Sequence, residues 1–175
     1  MSKTVSTSAA LPIAHTFLKI LIVLNWLMAG LILVLLIAMP NREWIMSAFD
    51  LSPSPDTDRL ILALRVTAVL GLVVFVLNNG ILKRLLAMVE TVRAGDPFVA
   101  ANADRLQAIA WTLFALQLLG IVIGAIGKAV STPAHPVDLD AGFSLNGWLA
   151  VLLTFLLARV FAAGTVMRED LEGTV

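Results

Sequence analysis

The stretch Leu60–Phe98, LILALRVTAVLGLVVFVLNNGILKRLLAMVETVRAGDPF, decides the fold. Val66 to Leu82 is an apolar run, extended outward by Leu60 to Leu64 across Arg65. A helix crossing the hydrocarbon needs about 20 apolar residues at ~1.5 Å each, so this segment is a membrane span. The helical period does not end with it. Ile81, Leu82, Leu85, Leu86, Met88, Val89 and Val92 form one stripe, while Lys83, Arg84, Glu90, Thr91 and Arg93 take the other side. The helix is therefore predicted to leave the bilayer and continue for about three turns. Gly95 is a C-terminal stop, and Asp96-Pro97 reads as an N-cap followed by proline at the first helical position. Phe98 to Leu106 leads into the next apolar run. Residues 83–108 are thus expected to form a helical hairpin with its corner at Gly95–Phe98.

Three further runs surround this one: Ile20 to Met39, Ile109 to Ile126 and Trp148 to Ala163. Together they account for a composition that is 59% hydrophobic and only 14% charged over 175 residues. A soluble domain carries about 25% charge. The expectation is a single all-α integral membrane domain, 1–175, with four transmembrane helices. Its spans lie at 20–39, 60–82, 109–126 and 148–163, with outer loops at 40–59 and 128–147 and a tail at 164–175.

The first span is longer than the roughly 7–15 apolar residues of a signal peptide, and no Ala-x-Ala site precedes Pro40, so it reads as an uncleaved anchor. The Ser/Thr-rich segment Met1 to Ala14 before it reads as a mobile tail. Orientation follows from the basic residues of the short loops. One side carries eight (Lys3, Lys19, Lys83, Arg84, Arg93, Arg105, Arg159, Arg168), and the other carries Arg42, Arg59, Arg65 and Lys128 against six acids. Both termini and the hairpin are expected in the cytoplasm. Trp44 and Trp148 suit the outer interfacial belt; Phe98, Trp111 and Phe161 suit the inner one.

The outer segments are rich in proline and aspartate, which favour turns over helix. His135 with Asp138 and Asp140 offers cation ligands, but in no spacing of known metal geometry, so a solvated loop is expected and no metal site. Inside the spans, Asn25, Asn78, Asn79 and Arg159 all count to the inner leaflet, where they either form one polar cluster or act separately. In the second case the asparagines tie helices together and Arg159 snorkels to the headgroups. Glu169, Asp170 or Glu90 is the expected counter-charge for Arg159. Arg65 snorkels outward, and Gln117 faces another helix. Gly120, Gly124 and Gly127 in the third span, with Ala158 and Ala162 in the fourth, permit close backbone approach, either within the chain or across a homodimer seam.

Several function classes drop out. Lys plus Arg and Asp plus Glu are 12 each, so no net charge drives nucleic-acid binding. With no cysteine, thiol chemistry is excluded. No phosphate-binding glycine loop, zinc-protease helix or nucleophile elbow is present, and neither an enzyme nor a cofactor is expected.

Gly95-Asp96-Pro97-Phe98, followed by Asn102 and Arg105-Leu106, resembles the G-x-P-F…N…R-L signature of a bacterial membrane family, domain of unknown function 2975. The ending Val160-Phe161-Ala162-Ala163-Gly164 and Met167 to Val175 is similar to that family's C-terminus, and the resemblance covers roughly residues 60–175. It implies a four-helix inner-membrane protein with cytoplasmic termini. It also implies a partner, because members are frequently encoded beside a small helix-turn-helix regulator. On that basis the expected function is a regulatory binding protein that sequesters a helix-turn-helix transcription factor at the cytoplasmic face. Gly95, Asp96, Pro97, Phe98, Asn102 and Arg105 of the corner would supply contacts, with Arg168, Glu169, Asp170 and Glu172 of the acidic tail. Such a tail opposes the basic DNA-reading surface of a regulator. The alternative is a small transporter or channel lined by Asn25, Asn78, Gln117 and Arg159.

Overall fold

The computed structural model describes residues 7–39, 41–48, 53–131 and 142–172. Five helices follow in order: α1 (Thr7–Ala38), α2 (Arg42–Ala48), α3 (Pro55–Arg93), α4 (Ala100–Val130) and α5 (Leu145–Glu172). Four of them are long and apolar enough to cross a membrane. No strand occurs among the described residues.

The decisive stretch is one helix. α3 has 39 residues, about 58 Å at the α-helical rise, against a hydrocarbon core of about 30 Å. It begins earlier than its hydrophobicity shows. Ser54 is its N-cap, accepting a hydrogen bond from the Thr57 amide at 3.1 Å, and Pro55 occupies the first turn. The expected outer loop 40–59 is thereby shortened, and α2 takes a second piece of it. Prolines that read as turn formers here precede or open a helix, where the missing N–H costs nothing. At the other terminus, α1 is helical from Thr7, so only residues 1–6 of the expected mobile tail lie outside the described residues. His135, Asp138 and Asp140 also lie outside them.

Each long helix packs on its neighbour in sequence: α1 on α3, α3 on α4, α4 on α5. Side-chain contacts give each pair a constant register. Between α1 and α3 these are His15 with Glu90, Asn25 with Phe75, Ile32 with Gly71 and Met39 with Arg65. Asn102 meets Thr91 at the hairpin end of α3 and α4. Toward the opposite end, Thr67 and Ile126 line one crevice. These registers set the apolar runs of α1, α3 and α4 level with one another.

α5 breaks the pattern. Trp148 meets Phe114, Phe155 meets Trp111 and Phe161 meets Phe98. The run 148–163 therefore lies beside residues 99–114 of α4, displaced toward the hairpin by about three turns, ~16 Å. α5 keeps a stretch, Leu145–Arg168, long and apolar enough to cross a membrane; it is the register of that stretch against α4 that is shifted.

The loop end of α1–α3 is closed by a small core of Met39, Ile45, Ile61 and Ala68. Arg65 does more than snorkel: its Nη2 donates to the Met39 carbonyl at 2.8 Å, placing a cation at the C-terminus of α1. Gly124 and Gly127 are buried within the chain, and Gly120 faces the Gly142 carbonyl. On α5, Ala158 is buried while Ala162 is exposed. The small residues of α4 thus serve packing within the chain.

Candidate functional site

The hairpin corner is a closed polar knot built from the sequence outward. α3 ends at Arg93 with Ala94 as C-cap, and Gly95 follows in the left-handed region at φ +88°. The Gly95 amide donates to the Val92 carbonyl at 3.1 Å and the Asp96 amide to the Thr91 carbonyl at 3.0 Å. This pair of bonds is the Schellman motif, and it turns the chain sharply out of the helix. Residues 96–99 are non-helical, and α4 starts at Ala100 with Val99 as a cap that gives no side-chain bond. The expectation of Asp96 as N-cap and Pro97 as first helical residue is therefore corrected.

Asn102 holds the turn from inside. Its side chain is 0% exposed. Nδ2 donates to Thr91 Oγ1 at 2.7 Å and to the Pro97 carbonyl at 2.9 Å, while Oδ1 accepts from Arg105 Nη1 at 2.7 Å. Thr91 Oγ1 in turn donates to the Met88 carbonyl at 2.7 Å. One amide thus joins the end of α3, the turn and the start of α4. Both amide hydrogens and one lone pair are satisfied, which is what burial of such a group requires.

The C-terminal helix is tied to the same corner. Arg168 forms an ion pair with Asp96. The Phe98 ring lies 5.3 Å from that of Phe161 and rests on Gly164, where a Cβ would come within 3.0 Å of it. His15 of α1 approaches Glu90 of α3 at 3.8 Å. The structure thus brings together Gly95, Asp96, Pro97, Phe98, Asn102, Arg105 and Arg168. Asp170 sits exposed on the last turns of α5, and for Glu169 and Glu172 only the helix is described. The contacts within the knot include Thr91, Phe161 and Gly164, none of which was assigned to the corner on sequence grounds. Thr91 carries the polar periodicity of a solvated face, so only its pairing with Asn102 reveals it.

The intramembrane polar residues separate into two levels. Asn25 Nδ2 donates to the Phe75 carbonyl at 3.3 Å, one turn from Asn78 and Asn79. Asn79 Oδ1 is buried with no partner among the described residues. Gln117, on α4, reaches the same level and donates to the Ser144 carbonyl at 3.3 Å. Its amide fills the space over Gly147. Arg159 does not join them. The displacement of α5 carries it alongside the start of α4, about 18 Å farther toward the hairpin, where it is exposed. Glu90, one of its expected counter-charges, faces His15 instead.

Together the helices and the clasped corner define an all-α, multi-pass membrane protein. A family model, protein of unknown function (DUF2975), matches residues 44–175, and the chain belongs to that family. The match takes in most of α2 as well as the corner and the C-terminal helix. No match was found among curated proteins or solved structures.

Proposed function

We propose that this protein is a membrane-embedded regulatory binding protein. Its partner is a small helix-turn-helix transcription factor, held at the cytoplasmic face of the inner membrane. One observation carries the proposal. The corner clasps α5 so that Leu156, Leu157 and Val160, each 44–57% exposed, stand level with Glu90, Asp104 and Arg105. A slab of hydrocarbon that includes those charges is costly. Exposed leucines beside charged residues outside the slab are the chemistry of a protein-docking surface. Acids at the chain end (Glu169, Asp170, Glu172) stand against a basic DNA-reading surface. The knot residues Asn102 and Arg105 hold this platform in shape, and its exposed neighbours make the contacts.

The test is co-purification from detergent extracts with a co-expressed small helix-turn-helix regulator. The wild type is expected to retain it. Leu156→Glu with Val160→Glu is expected to release it, with the chain still in the membrane fraction. Equal recovery with both forms, or no recovery with the wild type, overturns the proposal.

A further inference from the structure

The unclasped end of α5 begins inside the membrane rather than at its surface. Its first residues meet Gln117, whose Nε2 donates to the Ser144 carbonyl at 3.3 Å and whose amide fills the space over Gly147. Just before them the Gly142 carbonyl faces Gly120. Gln117 lies midway along the apolar run Ile109 to Ile126, so this junction sits about 12–14 Å from either end of the run. Residues 142–144 are non-helical there, and Phe143, Ser144, Leu145 and Asn146 are all exposed. Among the described residues, only the Gly147 and Trp148 amides of the first turn find acceptors, the hydroxyl and the carbonyl of Ser144. Hydrocarbon offers no hydrogen bonds, so irregular backbone at membrane depth persists only where protein buries it or water fills a cavity against it. The exposure of the turn excludes burial by this chain.

We infer that water fills an inlet that opens on the loop side and ends at Ser144, Asn146 and Gln117. Toward the hairpin, α5 is sealed onto α4 by Trp148 on Phe114 and Phe155 on Trp111, so the inlet opens away from these rings. The three polar side chains and the first-turn amides supply the hydrogen-bond partners, about three per molecule, that an ordered water takes. The inlet brings the loop-side aqueous phase into contact with the helix whose far end the corner clasps. The docking proposal can fail with this inference intact, because the two rest on opposite ends of α5.

The chain has no cysteine, so single thiols test this in the full-length protein held in lipid nanodiscs. The probe is a membrane-impermeant cationic methanethiosulfonate, and the readout is the mass of the modified chain. Asp104→Cys, exposed at the hairpin, sets the rate in water. Val122, also exposed, is nearer the loop end than Gln117 but lies about 140° around α4 from it, facing lipid. A thiol in hydrocarbon scarcely ionises, so Val122→Cys is expected to react about a hundredfold more slowly than Asp104→Cys. Asn146→Cys and Phe143→Cys, though deeper, are expected to react within about tenfold of Asp104→Cys. Rates at both as slow as that of Val122→Cys overturn the inlet, whether lipid or a second copy covers the turn. A fast Val122→Cys overturns it too, because water would then surround that half of α4 on all sides.

Discussion

At the scale of single residues, Asn102 carries more of the corner than any other side chain. Removing its amide leaves the Pro97 carbonyl and Thr91 Oγ1 without their donor and frees Arg105. An unsatisfied buried group costs ~1–3 kcal/mol, so Asn102→Ala is expected to destabilise the protein by about 2 kcal/mol. Thermal unfolding of the purified protein in detergent measures this, and an unchanged midpoint contradicts the knot. Asn102→Asp is expected not to rescue, because a carboxylate offers no donor to the carbonyl. This residue shows how legible the site was. The family resemblance marks Asn102 and Arg105 together, and the knot joins the two by a hydrogen bond. Whether a polar residue beside a turn faces inward or outward depends on a partner eleven positions back on another helix. Periodicity had placed that partner, Thr91, on the solvated side.

Among elements, the joint between the hairpin and α5 rests on the fit of Phe98 over Gly164. Adding a methyl group there has two opposing effects. Alanine is a better helix former than glycine by about 1 kcal/mol, but its Cβ would lie 3.0 and 3.2 Å from the Phe98 ring, and overpacking costs ~1–3 kcal/mol. Gly164→Ala alone is expected to be destabilising by about 1 kcal/mol. In a Phe98→Ala background the ring is gone, and the same change is expected to stabilise by about 1 kcal/mol. A double-mutant cycle on unfolding midpoints reads the change of sign; additive effects would place the ring elsewhere. The long helices themselves were legible, because an apolar run of about 20 residues admits few other structures. Their starts were less so. Ser54-Pro55 opens α3 although proline clusters suggest turns, whereas Asp96-Pro97, with the stronger cap signature, opens nothing: the Asp96 amide closes the turn on the Thr91 carbonyl, its carboxylate pairs with Arg168, and α4 begins only at Ala100.

The whole molecule turns on the level of α5, which no periodicity encodes: apolar runs of equal length pack at any register, and aromatic contacts choose among them. Levelling all four runs requires sliding α5 about three turns toward the loop end, ~16 Å. That movement gives its leucines to lipid, but it breaks the Asp96–Arg168 pair, lifts Phe98 off Gly164 and separates Trp111 from Phe155. The two arrangements predict different neighbours, and the chain, with no cysteine of its own, is a clean background for cross-linking. In the clasped register Phe98→Cys with Gly164→Cys is expected to form a disulfide when isolated membranes are treated with oxygen and copper phenanthroline, which accepts the two electrons. Gly120→Cys with Leu153→Cys, offset here by about 16 Å along the axis, exceeds the reach of a disulfide, about 7 Å between Cα atoms, and is expected to stay reduced. The reverse pattern would set α5 level with the other three spans, immerse Leu156 and Val160 in the bilayer, and remove the docking surface. If both pairs cross-link, α5 moves between two levels, and added partner should then favour the first pair, because only that register holds the leucine face beside the hairpin.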